Sequence, residues 1–230
     1  MTTQHAGEVR QGIGVSPGTA YGPVVQVAPP VQPPQDEPAP ADAEQAAADV
    51  ARAFADVAAA LDAKAEHVVD TAQAILKATA MMARDKSLLK AAQAGVRAGV
   101  GPATAVSAAV EEFVVKFEAL GGYFAERVAD LRDVGSRAVA AVLGVPAPGV
   151  PDFTVPSIVV AEDLAPAETA TLDRALVAGI VTRAGGRTSH TAILAAQMGI
   201  PAVVQLPGAT QLPPGTFIAV DGDTGEVVRS

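Results

Sequence analysis

The spacing of apolar residues divides the chain into three regions. Residues 12–28 mix Gly, Pro and β-branched residues, which predicts short strands joined by a tight turn at Ser16-Pro17-Gly18. From about Ala41 to Leu143, apolar residues recur at helical spacing and Gly is rare except at apparent helix ends. After Gly144, β-branched runs alternate with helical segments, a pattern typical of an α/β layer.

Three or four helices are predicted in the middle region. The first is long, with room for a kink in its early part, and one of its faces carries Leu61, Ala65, Val68, Val69, Ala72, Ile75, Leu76 and Thr79. A second is expected from Ser87, as its N-cap, to Arg97. A third should begin near Pro102 and end at Gly121-Gly122, and a fourth should span Tyr123 to Leu143. Short joints between these helices predict an antiparallel bundle.

The last region predicts strands at SIVVA, GIVTRA, AVVQL, FIAVDG and EVVRS, and helices at ETATLDRALV and TAILAAQMG. The N-terminal strands have no neighbours of their own, so we expect them to complete this sheet. The predicted fold class is therefore α/β, with residues 1–30 and 145–230 in one domain and an all-α helical bundle, residues 31–144, inserted into it. A Pro-rich stretch near residues 29–40 is expected to be an extended connector.

Composition and charge limit the partners. Aromatic residues are only 3% and Trp is absent, so the cores must rely on Ala, Val and Leu. A net charge of −9 argues against nucleic acid and suits a basic protein partner, although a plain solvated surface has the same charge. The absence of Cys excludes disulfides and thiolate metal sites. A polar N-terminus and the lack of a long apolar run predict a soluble, cytoplasmic chain with no membrane partner.

The segment that carries chemistry is AGGRTSHTAILAAQMGIPAVV, residues 184–204. Gly185 and Gly186 allow the backbone to approach a ligand closely, and the start of the following helix favours an anion. Arg187 could add a charge-assisted bond to a phosphate oxygen. His190 is the one nucleophile there with matching chemistry, because a neutral imidazole nitrogen can attack phosphorus in line.

Other interpretations of this segment remain open from the residues alone. A lone His at a helix start is commonly a cap or a surface residue, and the turn could bind phosphate without covalent chemistry. A Ser-His hydrolase would need a Ser elbow that the chain lacks, since Ser189 directly precedes His190. A metal site is not predicted, because His5, His67 and His190 show no ligand spacing.

The same segment closely resembles the phosphohistidine segment shared by enzyme I, pyruvate phosphate dikinase and phosphoenolpyruvate synthase. Three further stretches resemble enzyme I: GIGVSPGTAYGPVV, AEDLAPAETATLD and YFAERVADLRDVGSRAVAAVLG. The resemblance covers about Gly12 to Gly225 apart from the connector. It implies a swivelling α/β domain in which His190 is phosphorylated and Thr169 lies beside it. It also implies that Gly185, Gly186, Arg187, Thr188 and Ser189 shape the phosphate pocket.

The resemblance further implies that the helical insertion binds HPr, the small histidine-containing phosphocarrier protein. By alignment with the family, the surface for HPr is expected to include Lys77, Thr79, Met82, Arg84 and Arg127. Lys77 and Arg84 could equally be plain solvated charges, and Arg127 could simply pair with Asp130 three residues on. Lys77 and Thr79 stand where the family has a Glu and a His, and Ala196 replaces a common Arg after the active His.

Enzyme I continues into a barrel domain that binds phosphoenolpyruvate and magnesium and mediates dimerisation. We expect this chain of 230 residues to be an N-terminal portion of such an enzyme, monomeric and without a cofactor of its own. It should exchange phosphate reversibly with HPr but not use phosphoenolpyruvate. The rival hypotheses are the swivelling domain of a dikinase-like enzyme, which lacks the helical insertion, and a docking module for a phosphocarrier without turnover.

Overall fold

The computed structural model describes residues 8–67, 70–164, 168 and 172–230. The chain divides into two compact units, an α/β unit of residues 1–29 and 149–230 and a helical unit of residues 30–148. These boundaries stand one and four residues from the expected ones at 30 and 144. Ala28 and Gly149 exchange two backbone hydrogen bonds of 3.0 and 2.9 Å, which hold the two ends of the split α/β unit together.

The helical unit has six helices among its described residues: α1 Ala43–Ala65, α2 Asp70–Ala83, α3 Lys86–Arg97, α4 Pro102–Leu120, α5 Gly122–Glu126 and α6 Val128–Leu143. Helix α1 packs against α2, α3 and α6, and α4 packs against α3 and α6. Phe54, Leu88 and Leu131 are the largest fully buried side chains of its core, and most other core positions are Ala or Val. Small side chains therefore fill most of the helical core, as the composition predicts.

The prediction of one long helix through residues 61–79 is wrong, because α1 ends at Ala65 and α2 begins at Asp70. The side-chain amide of Gln73 donates 2.9 Å to the carbonyl of Ala65 and satisfies an acceptor that the break exposes. Both helices bury their apolar faces in the same core. Helical spacing consequently continues across the break, and periodicity alone does not reveal it. Val68 and Val69 lie outside the described residues.

Two other helix ends also differ from the prediction. Asp85, and not Ser87, caps α3, because its carboxylate accepts from the N–H groups of Ser87 and Leu88 at 2.8 Å each. The predicted fourth helix is divided at Arg127 into α5 and α6. The predicted third helix is confirmed: it starts at Pro102 and stops before Gly121, whose φ is +66°.

The Pro-rich connector carries a distant cap for α4. The N-cap residue of that helix, Gly101, has no side chain to accept hydrogen bonds. Glu37 supplies the acceptor instead: its carboxylate receives the N–H of Ala103 at 3.0 Å and both the N–H and the hydroxyl of Thr104 at 2.7 Å. A Cβ on Gly101 would come within 2.5 Å of Glu37. Gly101 therefore leaves the space that the carboxylate occupies.

The α/β unit contains the strands β1 Val9–Gln11, β2 Ile13–Ser16, β3 Thr19–Gln26, β4 Ser157–Ala161, β5 Val177–Thr182, β6 Ala202–Val204, β7 Phe217–Asp221 and β8 Glu226–Arg229. They form one sheet in the order β1-β8-β7-β3-β4-β5-β6-β2. Strands β3 to β6 are mutually parallel, and the other pairings are antiparallel. Helix α7, His190–Met198, connects β5 to β6.

The expectation that the N-terminal strands complete the C-terminal sheet is confirmed. Strand β3 lies between β7 and β4, and β2 pairs with β6. The two strands flanking Ser16-Pro17-Gly18 therefore do not pair with each other, although the chain does turn there.

The helix predicted at residues 168–177 is wrong from residue 172 onward. Glu168 is helical, whereas Arg174–Leu176 form a turn and β5 begins at Val177. The carboxylate of Asp173 accepts from the N–H of Ala175 at 2.8 Å, and its carbonyl accepts from Leu176 at 2.9 Å. This Asp thus closes a turn in competition with a helix. Residues 165–167 and 169–171 lie outside the described part.

Within the described ranges, no helix combines the length and the apolar character needed to cross a bilayer.

Candidate functional site

The predicted site lies at the carboxyl ends of the parallel strands β4, β5 and β6. The loops that leave these strands are bonded to one another: the N–H of Ala184 donates to the carbonyl of Glu162 at 2.8 Å. The N–H of Leu206 likewise donates to the carbonyl of Thr182 at 3.0 Å. Open α/β sheets commonly bind their ligands at this edge.

Hydrogen bonds link the Gly-Gly turn to the start of α7. Gly185 has a φ of +93°, which a residue with a Cβ rarely adopts. The N–H of Ser189 donates to the carbonyl of Gly186 at 2.9 Å, and the Ser189 hydroxyl accepts from the N–H of Ala192 at 3.3 Å. Ser189 is therefore the N-cap, and His190 is the first residue of α7.

The turn presents backbone donors that other described residues leave without a partner. The N–H groups of Gly186, Arg187 and Thr188 make no hydrogen bond within the part of the chain that the structure describes. Successive free N–H groups next to a helix start form a concave site for an anion, and the partial positive charge of the helix adds to it. This arrangement can hold the oxygens of a phosphoryl group next to residue 190.

Arg187 and Thr188 are exposed beside these donors. One guanidinium nitrogen of Arg187 donates to the carbonyl of Gly14 in β2 at 3.3 Å. Because a guanidinium has five N–H donors, this long bond leaves others for a ligand. Thr169, which was predicted to lie beside His190, is outside the described residues, and so is the side chain of His190.

Sequence reasoning missed a polar pair under the helix start. Thr191 is fully buried, and its hydroxyl donates to a carboxylate oxygen of Asp163 at 3.3 Å. The same oxygen accepts from the N–H of Leu164 at 2.9 Å. Asp163 thus ties the loop after β4 to the first turn of α7. Its signal in the sequence was a carboxylate placed just after the buried strand SIVVA.

Gln205, just after β6, was also missed. Among the described residues it is the one non-glycine with a positive φ, +54°. Its side-chain amide donates to the carbonyl of Gly185 at 2.8 Å. A left-handed backbone costs an ordinary residue about 1–2 kcal/mol, while an exposed hydrogen bond contributes about 0.5–1.5 kcal/mol. The two terms nearly cancel, and nothing in the sequence indicates this conformation.

A surface ion pair flanks the site. Arg183, after β5, donates from its guanidinium to the carboxylate of Glu162, after β4. This hydrogen bond is the main cause that lowers the pKa of Glu162 and raises that of Arg183. The depressed pKa means that the pair contributes at neutral pH and is lost as the pH falls through the folded-state value. Both groups are exposed, so solvent screens the interaction.

The residues predicted to bind HPr have mixed surroundings. Lys77 is exposed and Met82 is partly buried against the helical core. Thr79 is only 4% exposed, and its hydroxyl donates to the carbonyl of Ile75 at 2.9 Å. Thr79 therefore has no polar group to offer a partner, and we remove it from the expected surface.

The two arginines of that surface are paired. Arg84 forms an ion pair with Asp62. Arg127 pairs with Asp130 at 3.0 Å and lies 5.0 Å from the centre of the Tyr123 ring. The hydrogen bond to Asp130 is the largest cause raising the pKa of Arg127. The i,i+3 pair considered for Arg127 is thus present, and the guanidinium also lies over the exposed ring of Tyr123.

Among the described side chains, no group of three or more His, Asp or Glu residues is placed to hold a metal ion.

Comparisons with known proteins agree on the family. The sequence profile of "PEP-utilising enzyme, N-terminal" matches residues 11–127, and that of "PEP-utilising enzyme, mobile domain" matches residues 153–225. A phosphoenolpyruvate-protein phosphotransferase from Streptomyces coelicolor is 47% identical over 218 residues, which are 94% of this chain and 39% of that protein. One from Haloferax volcanii is 37% identical over 71% of this chain and 29% of its own length.

Solved structures show the same fold. A solution NMR structure of Enzyme I has a TM-score of 0.80 at 31% identity and covers 96% of this chain and 92% of its own. The N-terminal domain of Enzyme 1 – Nitrogen has a TM-score of 0.64 at 25% identity, covering 96% and 93%. The chain spans about two fifths or less of the curated relatives it matches. It belongs to the family of PEP-utilising enzymes, in which it corresponds to the N-terminal domain of enzyme I.

Proposed function

We propose that this chain carries a phosphoryl group on His190 and exchanges it reversibly with HPr. The observation that carries the proposal is the position of His190, which opens α7 directly after a turn with three successive N–H groups that no described residue binds. In the intact relatives the phosphate would come from phosphoenolpyruvate and serve sugar uptake. The phosphoenolpyruvate site and its magnesium would lie in the part of those relatives that this chain does not match.

The transfer needs little from the protein beyond position and charge. A neutral ring nitrogen of His190 attacks the phosphorus of phosphorylated HPr. A new P–N bond forms to His190 as the P–N bond to the donor imidazole breaks, and the donor nitrogen keeps the bonding electron pair. The three phosphoryl oxygens gain charge density during this step, and the N–H groups of Gly186, Arg187 and Thr188 are placed to stabilise it.

The remaining predicted residues have supporting roles in this proposal. Ser189 fixes the start of α7 as its N-cap, and Gly185 supplies the positive φ of the turn. Arg187 would turn a free guanidinium N–H toward a phosphoryl oxygen. Thr169, which lies outside the described residues, would donate to the ring or the phosphate.

For HPr we propose a docking face on the helical unit, defined as the exposed side chains of residues 77–84 and 120–127. Its exposed members include Lys77, Met81, Arg84, Leu120, Tyr123, Phe124 and Glu126. Met81, Leu120 and Tyr123 are 71%, 67% and 61% exposed, so this face offers a partner large apolar side chains. Contacting aromatic rings, as between Tyr123 and Phe124, are typical of residues that anchor a partner.

Titration with unphosphorylated HPr should test this face. We expect backbone amide shifts at residues 77–84 and 120–127, because a docked protein changes the surroundings of the helices it covers. Two-dimensional NMR of the labelled chain measures this residue by residue. Strands β1 and β8, at the edge of the sheet far from the site, are the internal control, since their amides should stay in place. Shifts confined to α1 and α3 would contradict the docking face.

Phosphate exchange is tested by mixing the chain with phospho-HPr. We expect the mass of the chain to rise by one phosphate, and the gain to be lost in acid, because a P–N bond is acid-labile. Adding excess unphosphorylated HPr should remove the phosphate again. Phosphoenolpyruvate with magnesium, but without a second protein, should leave His190 unmodified. A chain that binds HPr but never gains phosphate would instead be a docking module.

A further inference from the structure

We propose that Gln205 is a positioning residue that aims the N–H of Gly186 at the phosphoryl group. This inference rests on the proposed function of His190. Its starting point is the side-chain amide of Gln205, which holds the carbonyl of Gly185 at 2.8 Å. Neither the helix-start pattern nor the resemblance to enzyme I assigns a role to this residue.

The geometry of the peptide bond connects these two groups. The carbonyl of Gly185 and the N–H of Gly186 belong to the same planar trans peptide and point in opposite directions. No cis peptide is found among the described residues. Holding the carbonyl toward Gln205 consequently fixes the N–H of Gly186 in the other direction. The neighbouring peptide is held in the same manner, since the carbonyl of Gly186 accepts from Ser189 at 2.9 Å.

Without such a bond this peptide would be free to rotate. Both residues that flank it are glycines, whose backbone angles are the least restricted. A glycine turn that approaches an anion closely thus needs an external restraint to keep its donors aligned. Gln205 provides that restraint from the end of β6, the neighbouring parallel strand. The side-chain nitrogen of Gln205 would also be the nearest atom to a Cβ placed on Gly186, at 3.9 Å.

The backbone of Gln205 supports a role in function over one in stability. It keeps a φ of +54°, a conformation that glycine would adopt without strain. The hydrogen bond it makes is exposed and gains little beyond offsetting that strain. Strained residues of this kind cluster at functional sites, where the rest of the structure holds them. A glycine at position 205 would have no side chain to reach the carbonyl of Gly185.

Replacement by glycine separates the two roles. Gln205→Gly removes the amide and the strain together, so the melting temperature should stay the same or rise. The phosphoryl transfer rate from phospho-HPr should fall by about tenfold to a hundredfold, the scale of a small misplacement at a reacting group. The KM for phospho-HPr should stay unchanged, because the docking face lies on the other unit. Gln205→Ala should show the same slower transfer with a lower melting temperature.

A spectroscopic readout and a control complete the test. In the unmodified chain the Gly186 amide should shift strongly on phosphorylation, and in Gln205→Gly this shift should be lost. Gln11→Ala is the matched control: Gln11 also donates from an exposed amide to a backbone carbonyl, that of Thr224 at 2.8 Å, and its loss should leave the rate unchanged.

Two outcomes would overturn the inference. One is a Gln205→Gly chain with the normal rate and the normal Gly186 shift. The other is a Gln205→Gly chain whose rate and melting temperature fall together, which would make Gln205 a structural residue. An unmodified chain that accepts no phosphate would instead contradict the proposed function. Failure of the proposed function is therefore distinguishable from failure of the role proposed for Gln205.

Discussion

A His190→Gln chain is expected to gain no phosphate from phospho-HPr while it still binds HPr. Glutamine has a similar size and polarity, but its amide nitrogen is not a nucleophile and cannot form the P–N bond. Removing the nucleophile should lower the rate by at least about a thousandfold, since such groups act as a unit with the donors around them. Mass spectrometry of the mixture, together with calorimetric titration of HPr, measures both properties.

His67→Gln is the matched control for this experiment. His67 lies just after α1 in the helical unit, so the same change there should leave the transfer rate as it was. If His190→Gln still gained an acid-labile phosphate, the nucleophile would have to be another residue. If it lost HPr binding and transfer together, the substitution would have disturbed more than the reacting group.

A second large effect is expected in the connector, where Glu37→Ala should destabilise the helical unit by about 1–3 kcal/mol. The change removes the shared acceptor of Ala103 and Thr104 at the start of α4. A carboxylate near that helix end also interacts favourably with the partial positive charge of the helix. Denaturant unfolding followed by helical circular dichroism reports the free energy of unfolding.

Two further variants make this measurement specific. Glu37→Gln keeps one acceptor oxygen and should lose less stability than Glu37→Ala. Glu112→Ala removes an exposed carboxylate that pairs with Lys116 at 2.7 Å, and exposed pairs of this kind contribute about 0.5 kcal/mol or less. Equal effects of Glu37→Ala and Glu112→Ala would show that the connector does not cap α4.

The sequence carried enough information for the architecture. Runs of β-branched residues predicted β4 and β5, and the lack of partners near the N-terminus predicted that β2 and β3 join the C-terminal sheet. The polar cluster before TAILAAQMG predicted a helix start at the candidate site, and α7 does begin at His190. In each case the pattern is local, or it follows from the need of every strand for a neighbour.

The errors arose where distant or competing bonds decide the structure. The break between α1 and α2 leaves the apolar spacing intact, because both helices pack on the same core. Asp173 closes a turn where residue preferences suggested a helix. The cap that Glu37 provides comes from a segment far away in the chain, which no local signature encodes.

The two site residues that the sequence did not suggest illustrate the same limit. Gln205 acts on Gly185 across two parallel strands, and its backbone angle is unusual for its type. The contact of Asp163 with the buried Thr191 likewise joins separate loops. Recognising either residue requires knowing which strand ends are neighbours.

The paired hydrogen bonds of Ala28 and Gly149 have a consequence for how this protein could change over time. These bonds join the two ends of the α/β unit where the helices are inserted, in the way that a β-hairpin joins its two strands. Lengthening or replacing what lies beyond that closure would add only a slowly growing entropic term to the folding of the sheet. The insertion can thus be exchanged to suit new protein partners while the phosphate chemistry proposed for the sheet stays as it is.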